Sequence, residues 1–421
     1  MPSLAPLLLA FLASRVYADG TEQSEAALGP TQACAPYSYA PVTAAMTASK
    51  FPPIWQPVAG ILSGDTAATS LFSSFSSSIP NIAPKGTLGV PDPNAQSKYP
   101  ATDPDCWWTA STCTTPKASG VNPDVAAVPE PQTLGYGFDD GPNCSHNAFY
   151  DYLTQKNQKA TLFYIGSNVM DWPLQAQRAV ADNHEICVHS WSHRSMTAFT
   201  NEQAFAELYY TLQAIKLVTG YTPTCWRPPL GDVDDRIRFI AQKIGLYNVL
   251  WKYNSNDWEV SSGAATPAQV QANYDTLMND AKSGKFSTSG AIILTHELNN
   301  YTMQTAIDNY PNLAAAFKYI VPVGVALNKT QPYVESNYTQ KSFAQYTGTQ
   351  PPTGGSSGSN SPGGSSGAAH PSSSGGPSSN SSSKTNTGQA AGSSVAVSVS
   401  PHFAALMSAL FGLAGVLTSI L

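Results

Sequence analysis

What most constrains this chain is a repeating texture that begins near Pro129. Seven short apolar, β-prone runs follow one another: TLGYGF, ATLFYIG, EICVHSW, TCWRPP, YNVLWKY, GAIILTH and YIVPVGVAL. Amphipathic stretches separate them; the clearest, TNEQAFAELYYTLQAIKLVTG, opens on a polar turn and has Gly220 as its stop. A strand buried on both faces loses the polar–apolar alternation of a half-exposed sheet, and most of these runs have lost it. Strands alternating with helices in this way predict an α/β fold with a parallel sheet covered by helices. The economical arrangement is a distorted, closed or partly closed (β/α) barrel of about seven parallel strands over residues 129–328. Residues 19–128, rich in Pro, Ser and Ala without clear periodicity, read as an irregular N-terminal extension that wraps this domain. Residues 329–346 form a trailing segment.

The two ends of the chain set its destination. Residues 1–18, MPSLAPLLLAFLASRVYA, have an apolar centre too short for a membrane span and end in a small-residue cleavage pattern, the signature of a signal peptide. Residues 347–400 are almost all Ser, Gly, Pro, Thr, Asn and Ala, too poor in apolar surface to offset the entropy of ordering, and predict a disordered linker. An uncharged apolar tail, 401–421, ends the chain. Polar spacer, small residues near 386–394 and greasy tail make a GPI-attachment signal, with Gly392 or Ser393 as the attachment residue. The rival, a tail-anchored helix, lacks a charge beyond the apolar run. The expected location is the secreted face of the plasma membrane or the cell wall.

Secretion accounts for the six cysteines, an even count expected to form up to three disulfides. Cys106 and Cys113 are close enough for a local pair, and Cys34, Cys144, Cys187 and Cys225 can be joined three ways. Sequons at Asn143, Asn300, Asn328, Asn337 and Asn380 fit a glycosylated surface protein. Only 11% of residues are charged and the net charge is −6, which argues against nucleic acid and against a polybasic membrane patch. The chain is expected to be a monomer.

Polar residues collect where the strands end, the rim at which barrels of this type place their chemistry. Asp139 and Asp140 end the first run, His189 and His193 the third, and Arg227 the fourth; Asp257 and Trp258 follow the fifth, and His296 ends the sixth. His189 and His193 stand four apart, so one tight turn can aim both rings at a common centre. With one carboxylate they form a His-His-Asp set that leaves positions open for water and substrate, the arrangement of a catalytic zinc. The zinc-protease motif requires Glu after the first His, and Ser190 stands there instead. The second carboxylate is then free to take a proton from the attacking water, with Arg227 orienting it and His296 placed to protonate the departing nitrogen or oxygen. This is equipment for hydrolysing an amide or ester through a tetrahedral oxyanion.

FDDGP, HSWSH, RPPLGD, NSNDW and LTH resemble, in order, the five motifs of the polysaccharide deacetylases (NodB-homology, carbohydrate esterase family 4). CWRPPLGDVDDRIR is similar to the version found in fungal chitin deacetylases. The resemblance implies that Asp139 is the general base and that Asp140, His189 and His193 hold one divalent metal, zinc or else cobalt. It implies that Arg227 orients the base, that His296 is the general acid, and that Asp257 keeps it protonated. Leu294 would line the pocket for the acetyl methyl group, Trp258 would face a sugar ring, and the backbone N–H at Leu230 would serve the oxyanion. Three positions depart from the family pattern: Gly137 for Thr, Leu230 for Tyr and Asn254 for Asp. Leu230 is expected to shift specificity or rate, and Asn254 would matter if its position tuned His296. The implied activity is removal of N-acetyl groups from N-acetylglucosamine units of chitin, giving chitosan and acetate. The alternatives are an O-acetyl esterase on a wall polysaccharide and a non-catalytic chitin-binding wall glycoprotein.

Overall fold

A computed structural model describes residues 20–349. The stretch read as a signal peptide, most of the linker, the residues expected to carry the attachment, the sequon at Asn380 and the apolar tail lie outside the described residues.

The seven runs become nine strands, all parallel to their sheet neighbours: β1 (Thr133–Gly135), β2 (Gly137–Gly141), β3 (Thr161–Tyr164), β4 (Glu185–Val188), β5 (Cys225–Trp226), β6 (Tyr247–Asn248), β7 (Tyr253–Asn254), β8 (Ala291–Leu294) and β9 (Tyr319–Val321). They form a five-stranded sheet, β2-β3-β4-β5-β6, and a four-stranded sheet, β9-β1-β8-β7. Two runs expected as single strands are each cut in two: TLGYGF breaks at Tyr136 and YNVLWKY breaks at Val249–Lys252. Each cut carries the chain from one sheet to the other. The sheets meet where Asp139 bridges in parallel to His296, the Asp139 N–H donating to the Thr295 carbonyl at 2.9 Å. At the opposite edge Val125 of the extension pairs with Val249 just beyond β6. Two parallel sheets joined along one seam are a partly closed barrel, with the extension filling its other side. In YIVPVGVAL only Tyr319–Val321 is strand: Pro322 has no N–H to donate, and a helical turn, Val323–Ala326, follows it.

Helices cover the strands, whose residues from β1 through β5 and in β8 are buried. The longest, α1 (Asn201–Thr219), begins with a capping box between Thr200 and Gln203 and ends at Gly220, whose φ of +83° suits a residue without Cβ. The extension contains short helices, among them Ala40–Thr47, Thr66–Ser73 and Trp108–Ser111. Its disulfides are Cys34–Cys144, which ties it to the loop after β2, and the local Cys106–Cys113; Cys187–Cys225 links β4 to β5.

Candidate active site

In a regular strand, neighbouring side chains point to opposite faces. At the end of β2 the pairing register slips between Asp139 and Gly141, and Asp140 adopts φ +71°. This break in the pleat lets two adjacent carboxylates serve one site. Gly141 is required next: a Cβ there would lie 1.5 Å from Glu297 Oε1.

The histidines are set by the turn after β4, where Ser190 and His193 have φ +59° and +53°. Asp140 Oδ1 lies 3.1 Å from His193 Nε2 and 3.4 Å from His189 Nε2. His189 Nδ1 is 2.8 Å from the Arg227 carbonyl, which can only accept, so that nitrogen carries the proton and Nε2 presents a lone pair. Asp140 Oδ1, though buried, has no hydrogen-bond donor among the described residues. Two imidazole nitrogens and a carboxylate oxygen within 4.8 Å of one another, with an orphaned oxygen among them, fit a divalent cation. Burial opposes the charge on Asp140, but the nearby His193 outweighs it and holds the carboxyl well below the usual range.

Asp139 is held from behind. Arg227 Nη1 donates to its Oδ1 at 2.6 Å, and both groups are buried. The guanidinium is fixed in turn by the Val249 carbonyl at 3.2 Å and by the Phe163 ring, whose centre is 4.0 Å away. The second oxygen of Asp139 is 3.7 Å from His189 Nε2, beside the cation ligands.

Across the seam, His296 Nδ1 lies 2.6 Å from Asp257 Oδ1, and its backbone N–H donates to Oδ2 at 3.1 Å. Burial pushes the imidazolium down, but the charge and hydrogen bond of Asp257, with help from Asp140 and Asp139, raise its pKa to about 9. Asn254, which replaces Asp in the fourth motif, makes no hydrogen bond to His296 among the described residues; its Oδ1 accepts the Asn256 N–H at 2.9 Å. Trp258 stands edge-on to His296 with ring centres 6.5 Å apart. Leu294 is two residues before His296 and nearly buried, whereas Leu230 is 47% exposed at φ +59°. Of the sequon residues, Asn300, Asn328 and Asn337 are exposed, and half-buried Asn143 donates to the Leu298 carbonyl.

Two supports escaped the sequence reading. Asn168 Nδ2 donates to the Asp140 carbonyl at 2.8 Å. Glu207 of α1, fully buried, accepts the N–H groups of Trp191 and Ser192, the Ser192 hydroxyl and the Val58 N–H of the extension, at 2.7–2.9 Å. One carboxylate therefore fixes the turn between the two histidines. Glu207→Gln puts an NH2 against these donors and is expected to weaken cation binding by about 10–100-fold, read by titration with zinc. Unchanged affinity would show that the turn holds itself. A charged residue amid Phe205, Ala206 and Leu208 on a helix was the available signal; for Asn168 there was none.

The family model described as polysaccharide deacetylase matches residues 127–249. Chitin deacetylase 2 of Cryptococcus neoformans var. grubii is 51% identical over 323 residues, covering 74% of this chain and 69% of that protein. Chitin deacetylase of Amylomyces rouxii is 44% identical over 318 residues, covering 74% of each. The solved chitin deacetylase of Colletotrichum lindemuthianum aligns at 20% identity with a TM-score of 0.44, covering 52% of this chain and 96% of that one.

Proposed function

The chain belongs to the polysaccharide deacetylase family, and from that premise we propose that it hydrolyses the N-acetyl groups of chitin, giving chitosan and acetate, with a bound divalent cation. The observation that carries this reading is the convergence of Asp140, His189 and His193 beside an Arg227-held Asp139 and an Asp257-held His296. The relatives named chitin deacetylase support the choice of substrate. Zinc suits a two-His, one-Asp donor set, and cobalt is the next choice. The chemistry such a cation supplies is acidification of water and stabilisation of charge developing on the acetyl oxygen.

The chain's own residues perform the proton transfers. Asp139 takes a proton from the water that attacks the acetyl carbon, and Arg227 keeps its carboxylate aimed. His296 gives a proton to the glucosamine nitrogen as the C–N bond breaks, leaving a free amine and acetate. Asp257 keeps that imidazole charged beforehand. A backbone N–H at Leu230 would add to oxyanion stabilisation, and Leu294 would receive the acetyl methyl group. The protein acts at the cell surface as a secreted, GPI-anchored form, a location supported by the sequence of both ends and by three disulfides among the described residues.

Acetate release from N-acetylglucosamine oligomers and from acetylated xylan separates the amide from the ester reading. Release from the oligomers at the higher kcat/KM is expected. Release from xylan alone would replace chitin as the substrate, and tight binding to oligomers without release would make the protein a binding module.

A further inference from the structure

Among the described residues, five large apolar side chains are exposed: Trp55, Leu88, Val90, Leu230 and Val334. Three of them, Trp55, Leu88 and Leu230, have φ of +63°, +47° and +59°. Bulky residues seldom adopt this left-handed conformation, which is strained and persists only where surrounding structure enforces it. In each case that surrounding structure is a segment packed against the loops of the candidate active site or one of those loops.

Trp55 belongs to the extension. Its N–H donates to Ser167 Oγ at 2.8 Å, and that hydroxyl donates at 2.7 Å to the carbonyl of Trp191, between His189 and His193. The indole is aimed by its own N–H, which donates to Asp171 Oδ2 at 2.8 Å, and the side chain is 39% exposed. Leu88, 36% exposed, is at the tip of the ladder Gly86–Thr87 with Val90–Pro91. The next residue, Gly89, packs so tightly on Arg194, directly after His193, that a Cβ would lie 2.5 Å from the Arg194 Cβ. On the RPPLGD turn, half-buried Trp108 covers Gly231 and meets Trp251 edge-on at 4.8 Å; its neighbour Trp107 donates to Asp232 Oδ1 at 2.7 Å. Three pieces of the extension thus dock on the helix Gly166–Asp171 after β3 and on the loops that follow β4 and β5. Each brings an apolar side chain, two of them in strained and solvent-facing poses.

We propose that the extension forms the outer part of a glycan groove, in which Trp55, Leu88 and Trp108 take the apolar faces of sugar units flanking the one that reacts. The occupant is a β-linked chain of N-acetylglucosamine, because these side chains stand on segments packed against the His189–His193 turn and the turn after Arg227, and two of the three are indoles. Sugars present C–H faces that stack on indole while their hydroxyls stay wet. Binding energy gathered there positions the reacting unit, so it rewards long chains and not short ones. This inference rests on the chitin deacetylase reading.

Its test uses the zinc-loaded full chain with dimer and hexamer of N-acetylglucosamine, comparing kcat/KM for the two. Trp55→Gly suits the left-handed backbone, and Leu88→Asn suits the two-residue turn it occupies, so neither change threatens the fold. Each is expected to lower the hexamer-to-dimer ratio about tenfold, through KM on the hexamer, with melting temperature and zinc content as in the wild type. Trp55→Phe, which retains a ring, should restore most of the ratio. An unchanged ratio in both variants, with the wild type releasing acetate from both substrates, overturns the groove alone. A wild type that releases acetate from neither overturns the activity, and the groove with it.

Discussion

Asp139→Asn is expected to lower acetate release by about 10²–10⁴-fold while the cation affinity stays close to that of the wild type. The amide is the same size as the carboxylate, and its oxygen can still accept from Arg227 Nη1, now 2.6 Å from Asp139 Oδ1. It cannot take a proton from water. The cation ligands Asp140, His189 and His193 are untouched, so a zinc titration separates loss of the base from loss of the metal. Buried Arg227 would lack a counter-charge, and breaking such a pair costs about 3–5 kcal/mol, so a lower melting temperature should accompany the change. Turnover retained at the wild-type rate would remove Asp139 from the base's role.

Asp257→Asn is expected to move the alkaline limb of kcat. His296 must carry a proton to act as the acid, and its pKa is raised to about 9; burial works against this, and Asp257 is the first of the groups that overcome it. Without the carboxylate, burial is opposed only by the more distant charges, so the pKa falls towards or below the usual value of about 6.5. The limb therefore shifts to lower pH, and near pH 8 the protonated fraction, and with it kcat, drops roughly 30-fold. The same raised pKa stabilises the folded state. That contribution is complete below about pH 6.5 and fades as pH rises through about 9, so the variant should lose melting temperature mainly on the acidic side. A pH profile with an unmoved alkaline limb would assign the acid to another group.

The grouping of the candidate residues was legible because the motifs sit at the ends of apolar runs, and parallel strands bring such ends to one rim. That logic groups Asp139, Asp140, His189, His193, Arg227, Asp257 and His296 on one rim, and the structure brings them together. It did not reveal that TLGYGF and YNVLWKY change sheets midway. Val249–Lys252 contains no Gly or Pro to mark a turn, and the glycines on either side of Tyr136, Gly135 and Gly137, are themselves strand residues. The choice of Asp257 over Asn254 as the partner of His296 comes from the family resemblance, and the structure pairs Asp257 with His296 at 2.6 Å; strand ends alone do not decide which side chain of a tight bend faces the ring. The pairing of Cys34 with Cys144, and of Cys187 with Cys225, depends on which elements become neighbours in space. The extension was the least legible part. Its helices are short, and its order comes from contacts with residues far away in sequence, such as the Val58 N–H on Glu207 of α1.

The most direct measurement of the central claim is acetate release from N-acetylglucosamine oligomers by the purified protein, first stripped with a chelator and then resupplied with zinc. The account predicts that release stops when the cation is removed and returns when zinc is added, in proportion to the zinc bound. Acetate that continues undiminished from protein shown to be cation-free would contradict it, as would the absence of acetate from protein whose site is filled with zinc.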